Sequence, residues 1–352
     1  MTASVEACIQ AHCVRYPKLE IQDAIKFLYQ SYMGGGHLIQ DEAHAQARLE
    51  EEWTKTPASR SVPLWEPLGE HFCRLHFSAC KVHGLSSKTV YRLFLLTAQE
   101  TTPDPSALDQ SLALLDRLPF PNEEIERTRS QYRASGCPMV GHSAAYRNAY
   151  SPAYRIIAQR YLPLLPILAA IDQEMSRTDA VRVAIDGPCA SGKTTLGQTL
   201  ADLYGCPLLH MDDFFLRPEQ RTAARLAEPG GNVDYQRFDR EVLTPLCLGT
   251  PACYRPWHCR SGSFGPSRTV PPSPLTVVEG SYALHPSLRG RYHLRIWTEA
   301  PLPVRLQRLA QRGGPDCLSR FQTQWIPLED RYFSACQVQD CCQLSYSPSV
   351  SE

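Results

Sequence analysis

The sequence predicts an all-α domain over residues 1–175, followed over 176–352 by an α/β domain with a parallel sheet and flanking helices. Three observations carry this. Apolar residues recur at helical spacing through the first half, with few strand signals. Beyond residue 180, short β-rich runs alternate with helical ones, the order that builds parallel βαβ units. Within that half, residues 181–195, VRVAIDGPCASGKTT, read as a buried strand, a glycine-bounded loop and the first turn of a helix.

Composition narrows the class. A chain of 352 residues favours two domains over one. Hydrophobic content of 43% and charged content of 20% are ordinary for a globular protein. Lys and Arg balance Asp and Glu at 36 each, so no basic field argues for nucleic acid or an anionic membrane as partner. No apolar segment of the signal-peptide kind follows Met1. The longest apolar run, residues 161–171, is too short to span a bilayer and carries Pro163 and Pro166, so it reads as the start of a buried helix. None of the 14 cysteines forms a C-x-x-C pair, and Cys253, His258 and Cys259, with Cys341 and Cys342 further on, match no zinc template. They read as reduced, mostly buried thiols of a cytoplasmic protein.

In the first half, residues 21–33 place Ile21, Ile25, Leu28 and Tyr32 on one helical face, and Gly34-Gly35-Gly36 ends it. A charged helix follows over 41–53, and another over 87–98 after the turn at Gly84. Asp104 caps a helix opened by Pro105, with Leu108, Leu112, Leu115 and Leu118 behind it. Asn122 caps a charged helix running to Tyr132, and Ser151-Pro152 opens a last one towards Met175. Two places are less plain. His37 closes the glycine turn and reads as structural. Residues 141–155, GHSAAYRNAYSPAYR, gather His142, Tyr146, Tyr150, Tyr154, Arg147 and Arg155. The two arginines beside aromatic faces suit an anion. The favoured reading, though, is a hydrogen-bonded structural corner.

In the second half the strand 181–185 leads to a helix over 194–204 that Gly205 stops. Residues 207–211 form a short strand that delivers Asp212-Asp213-Phe214-Phe215 at its C-terminal end, the edge where such sheets place their chemistry. A helix is expected over 235–246, and irregular chain over 250–274 with a hairpin near 254–264. Strands at 275–278 and 294–298 complete the alternation. A helix over 303–311 with Arg305 and Arg308 runs on towards Arg312, and residues 325–336 follow.

The loop fits G-x-x-x-x-G-K-[ST], from Gly187 to Gly192, Lys193 and Thr194. Its backbone N–H groups, over Gly187, Cys189, Ala190, Ser191, Gly192, Lys193, Thr194 and Thr195, converge on phosphate oxygens at a helix N-terminus. Lys193 neutralises the β/γ-phosphates and Thr194 offers a hydroxyl to Mg²⁺. A bound nucleoside triphosphate, ATP with Mg²⁺, is the expectation. Modification of Cys189, inside the loop, is expected to block it. Asp212 is placed to take a hydroxyl proton during phosphoryl transfer and to hold the metal's water shell. Asp213 points the other way and is the weaker candidate. Glu279 follows the apolar run 275–278, where a carboxylate would bind Mg²⁺ or hold the acceptor. Arg305, Arg308 and Arg312, near the glycine pair Gly313-Gly314, suit a mobile lid, with Arg312 or a neighbour neutralising transferring phosphate.

These pieces resemble the uridine kinase/phosphoribulokinase-type branch of P-loop kinases, which includes nicotinamide riboside kinases. The matching residues are GPCASGKTT at 187–195, MDDFF at 211–215, GGNVDYQRF at 230–238, VVEGSYALHP at 277–286 and RLQRLAQR at 305–312. The resemblance covers about residues 180–340. It implies ATP γ-phosphate transfer to an alcohol, commonly a nucleoside 5′-hydroxyl. It assigns Asp212 as catalytic base and Glu279 as the acid after the third strand. Tyr254 and Arg255 resemble, loosely, the acceptor-side hairpin, and with Asp213 and Glu279 they form the expected substrate side. Asp186 resembles its counterpart in cytidylate kinases, but MDDFF departs from their acceptor element. Nothing matches a base-clamping set. The helical half lies outside the resemblance, although residues 142–155 resemble an extension of some bacterial uridine kinase-like proteins. Two alternatives stand beside a nucleoside kinase: a kinase for another alcohol or a nucleoside monophosphate, and a nucleotide-regulated binding switch.

Overall fold

The computed structural model describes residues 4–39 and 41–348. The chain divides into two compact units, Met1–Leu165 and Pro166–Glu352. The division precedes the sequence boundary at 175 because the helix Leu165–Met175 packs with the second unit: the Tyr204 hydroxyl donates to the Asp172 carboxylate at 3.0 Å.

The first unit is mostly helical. Its helices include Ile21–Met33, Glu42–Lys55, Ser87–Glu100, Pro105–Ser111 and Asn122–Ala134. Side-chain caps fix the starts, as when Asp41 accepts from His44 N at 2.7 Å and Asp104 from Ala107 N at 2.8 Å. Ile25, Phe27, Leu28, Leu108, Leu112 and Ile125 share one core. The unit also holds an antiparallel three-stranded sheet that the all-α expectation lacks: β1 (Trp65–Pro67), β2 (Phe72–His76) and β3 (Tyr154–Ala158), with β2 central. The helix expected from Ser151 onward is therefore β3, a 3₁₀ segment Gln159–Leu164 and only then a helix. Ser151 takes the left-handed conformation at φ 42° and ends the helix Ala144–Tyr150. Pro152 lacks the N–H to continue it, and Ile156 and Ile157 suit a buried strand.

The corner around residues 142–155 is a closed polar network. The fully buried Arg74 donates to Gln30 Oε1 at 3.0 and 2.8 Å, and its guanidinium lies 4.8 Å from the Tyr154 ring centroid. His142 Nδ1 meets Asp23 Oδ1 at 2.9 Å, its Nε2 meets the Tyr154 hydroxyl at 2.7 Å, and its ring stacks on Tyr146 at 4.3 Å. Glu66 accepts from Tyr16 and Arg15, both at 2.9 Å. Arg155 pairs with Glu52 at 2.7 Å. Burial, helped by Arg74, pushes the His12 imidazole down to about 2, and burial pushes that of His142 down to about 4. Both are therefore neutral when folded and bind a proton near their ordinary value of 6.5 when unfolded. The unfolded state binds more protons, so stability falls as pH drops below about 6.5, by about 1.4 kcal/mol per pH unit for each imidazole. Amide hydrogen exchange in this unit, corrected for intrinsic rates, is expected to show opening much easier at pH 5 than at pH 7. Equal protection at both values would contradict neutral burial.

In the second unit five strands form one parallel sheet: β4 (Val181–Asp186), β5 (Leu208–His210), β10 (Leu275–Glu279), β11 (Leu294–Thr298) and β12 (Leu344–Tyr346). Their order is β12-β11-β4-β10-β5, with β4 at the centre. With the helix Lys193–Tyr204 leaving β4 through the glycine loop, this is the P-loop kinase fold. The irregular middle carries two small ribbons, β6 (Ala252–Tyr254) with β9 (Arg268–Val270) and β7 (Trp257–His258) with β8 (Ser263–Phe264). Strand β12 was not expected, since three residues with a polar centre give no pattern. Among the described residues no helix is long and apolar enough to cross a membrane.

Candidate active site

Strand β4 ends in Asp186, which is fully buried. Its carboxylate accepts from Gly187 N at 2.7 Å, Leu284 N at 2.9 Å, Tyr282 N at 3.3 Å and the Tyr332 hydroxyl at 2.9 Å. One acid thus ties the start of the phosphate loop, the turn after β10 and the helix Ile326–Cys336 together. Burial pushes its carboxyl up to about 6, against these hydrogen bonds and Lys193.

The loop then needs glycine. Gly187 sits at φ +145°, and a Cβ there would lie 2.2 Å from Thr298 O. Gly187→Ala is expected to cost the loop about 3 kcal/mol in strain and overlap, and so to weaken nucleotide binding about a hundredfold. Calorimetric titration with ATP checks this. An unchanged affinity would mean the loop does not need this conformation. Ser191 Oγ lies 2.5 Å from Thr298 Oγ1, which pins the loop to β11. Lys193 Nζ donates to Gly187 O at 2.7 Å and Pro188 O at 2.9 Å, so the ammonium is folded over the loop.

The sheet register sets the acids. Glu279 pairs in register with His210 of β5 and Ile185 of β4, so it stands beside the loop helix. Its Oε2 accepts from Thr194 Oγ1 at 3.2 Å, and its Oε1 lies 2.6 Å from His210 Nδ1. The Glu279 carboxylate holds the His210 imidazole above its usual range. Asp212, in the single turn Met211–Phe214, faces the same cleft. Surrounding protein and the neighbouring Glu279 push its carboxyl up to about 6, against the pull of Lys193.

The cleft has a volume of 440 Å³ and gathers Lys193, Thr194, Thr195, Asp212, Glu279 and Arg312. The arginine helix does two jobs. Arg305 Nε donates to Cys189 O at 2.8 Å and Arg308 Nη1 to Ala190 O at 3.0 Å, so these two brace the loop's carbonyls. Arg312 and Arg320 line the cleft, on either side of a break at Gly314, whose φ is 70°. Arg320 was not among the expected lid arginines.

Three acceptor-side expectations land elsewhere. Asp213 Oδ2 accepts from Tyr254 Oη at 3.1 Å and Arg268 Nη1 at 2.8 Å. Arg255 donates to Gly265 O at 2.9 Å and Phe264 O at 3.3 Å. Asp213 and Tyr254 therefore fasten the β6–β9 ribbon to the strand end, Arg255 binds the chain at the end of β8, and none of the three lines the cleft. Cys189 is also not an open thiol: it is buried, and burial with Glu329 nearby pushes it up to about 11. A thiol reagent is expected to label the exposed Cys247, Cys253 and Cys259 first.

Sequence reading missed Glu329. It is buried, accepts from Cys189 N at 2.8 Å and from Ser281 Oγ at 2.6 Å, and sits one turn before Tyr332 on the same helix. The only signal was an acid three residues before a tyrosine on a helix, which means nothing without the tertiary partner.

The profile of the family described as shikimate kinase matches residues 189–251, from the phosphate loop past Asp212. No curated protein matches the chain by sequence. Among solved structures it is similar to a protein described as a possible uridine kinase from Bacillus stearothermophilus, at 17% identity over 51% of this chain and 99% of that one, with a TM-score of 0.40. A candidate fructose transport system kinase from a Silicibacter species matches at 23% identity, over 51% and 97% of the two chains, with a TM-score of 0.41. A shikimate kinase from Acinetobacter baumannii, in complex with shikimate, matches at 18% identity, over 49% and 87%, with a TM-score of 0.29.

Proposed function

We propose that this protein is a Mg²⁺-dependent kinase that transfers the γ-phosphate of ATP to a hydroxyl of a small-molecule alcohol. The supporting observation is the meeting of a phosphate-loop lysine, a hydroxyl–carboxylate pair and an open carboxylate in one cleft. The loop N–H groups and Lys193 hold the β- and γ-phosphates. Asp212 takes the acceptor's proton as its oxygen bonds to the γ-phosphorus and ADP leaves. Arg312 and Arg320 offset charge on the transferring oxygens and help exclude water.

The residues present fit Mg²⁺. Among the described residues no cluster of three His, Cys, Asp or Glu side chains forms a dedicated metal cage. Magnesium does not ask for one: it keeps several waters and takes one or two protein oxygens plus the phosphates. Thr194 and Glu279 would hold the ion, with Asp212 in the same cleft, and the ion would neutralise charge on the phosphates.

The acceptor suggested by the resemblance is a nucleoside 5′-hydroxyl, and other small alcohols stand beside it. The described cysteines are all free, which suits a reducing compartment such as the cytoplasm. The test is ATP consumption over a panel of nucleosides, polyols and hydroxy acids, with the phosphate ester identified by mass spectrometry. Kinase function predicts ADP formation that depends on one alcohol. ATP bound without alcohol-dependent turnover would instead support a nucleotide-regulated switch.

A further inference from the structure

A second cavity, of 360 Å³, adjoins the catalytic cleft and shares Arg221, Asn232 and Trp325 with it. Arg331 and Gln324 lie on its other walls, and among the described residues no carboxylate lines it. Among the described residues its two guanidinium groups hydrogen-bond only to uncharged atoms. Arg221 donates to Leu216 O at 3.1 Å and to Cys259 Sγ at 3.8 Å, and Arg331 to Leu226 O. Neither forms an ion pair with a described residue.

Two acids of the adjoining cleft are committed elsewhere. Glu279 holds Thr194 and His210, and Glu329 holds Cys189 N and Ser281. The triphosphate has its own cations in Lys193, Arg312 and Arg320, so Arg221 and Arg331 are left over. Two cations sharing a semi-enclosed cavity with no counter-charge repel each other, and an anion that binds both relieves this. The room exceeds that of one anion, and Trp325 offers an apolar surface to a carbon skeleton.

We propose that this cavity is an anion subsite of the acceptor: the alcohol phosphorylated beside Asp212 carries a carboxylate or phosphate held by Arg221 and Arg331 next to Trp325. The inference rests on the kinase reading and narrows its substrate class. A plain nucleoside would leave both guanidinium groups unmatched. A nucleoside that carries an anion and keeps a free hydroxyl would satisfy them.

The full-length chain, loaded with Mg²⁺ and the non-hydrolysable analogue AMP-PNP, is titrated calorimetrically with three matched pairs: glycerol and glycerate, ribose and ribose 5-phosphate, uridine and uridine 3′-monophosphate. At least one acid should bind tenfold or more tighter than its neutral counterpart. Arg221→Gln and Arg331→Gln should each remove most of that difference while AMP-PNP still binds, since a charge-assisted contact is worth about tenfold. The carboxylate pair against the two phosphate pairs tells which anion is preferred. No acid preference in any pair, or a preference that survives both substitutions, overturns the subsite. Failure of the unaltered chain to bind AMP-PNP at all would instead bring down the kinase reading itself.

Discussion

Asp212→Asn is expected to lower kcat by about 10²–10⁴-fold and leave ATP affinity nearly unchanged, because it removes a proton acceptor without removing a phosphate contact. The substitution keeps the shape of the side chain and deletes only its charge and basicity. The carboxyl of Asp212 is raised to about 6 by the protein that surrounds it in the cleft and by Glu279. It must be ionised to accept a proton, so activity should rise with pH through about 6 and level off above it. The Asn variant should lose that limb of the profile. Steady-state kinetics from pH 5 to 8, with ATP binding followed separately, decide the matter. Full turnover in the variant would remove Asp212 from the mechanism.

Asp186→Ala should destabilise the second unit by about 3 kcal/mol, a fall of roughly 6–12 °C in its melting temperature. Opposing effects are at work. The substitution strands three backbone N–H groups and the Tyr332 hydroxyl, each worth about 1–2 kcal/mol when left unpaired in the interior. It also relieves the burial of a carboxylate raised to about 6, on the order of 2–3 kcal/mol at neutral pH. The lost acceptors win. Tyr282 adds to the case: it is held at φ 77°, a conformation costly for a bulky side chain, and one of the hydrogen bonds that hold it is from its own N–H to Asp186. The same pKa direction carries a sign for the unaltered protein. The folded state binds the extra proton, so this group's contribution is fully present below about 4 and is lost as pH rises through about 6. Scanning calorimetry of wild type and variant reads both effects. An unchanged transition in the variant would show that the fourfold tie is not structural.

What the sequence made legible follows from where the chemistry sits. The phosphate loop is contiguous, and its glycines, lysine and threonine announce themselves. Asp212 and Glu279 are legible because each follows a short apolar strand, and a parallel sheet aligns the C-terminal ends of β4, β5 and β10 at one edge. The structure gathers Lys193, Thr194, Asp212, Glu279 and Arg312 in one cleft for that reason. Asp213, Tyr254 and Arg255 were harder to place. Their neighbours come from ribbons of two or three residues, too short to show any alternation. Glu329 acts through Cys189 and Ser281, 140 and 48 residues away along the chain, and no local pattern encodes such partners. In the first unit, β2 reads FCRLH and is buried along its whole length, so Arg74 and His76 masked the strand. Ser151-Pro152 resembled a helix start, since proline suits the first turn, but residues 154–158 pair with β2 as a strand.

The helix Ile326–Cys336 carries Glu329 at the loop's Cys189 N–H, Tyr332 at Asp186, and Arg331 at the neighbouring cavity. A rigid rod cannot move one of these and leave the others still. On the kinase reading, any shift that bound ATP imposed on the loop would be felt at Arg331, and a molecule gripped there would pull on the loop in return. Thermodynamic reciprocity makes the two influences equal in size: whatever factor the nucleotide adds to the affinity of the second cavity, occupation of that cavity adds to the nucleotide's. The order in which the two substrates arrive would then be a property of this one helix.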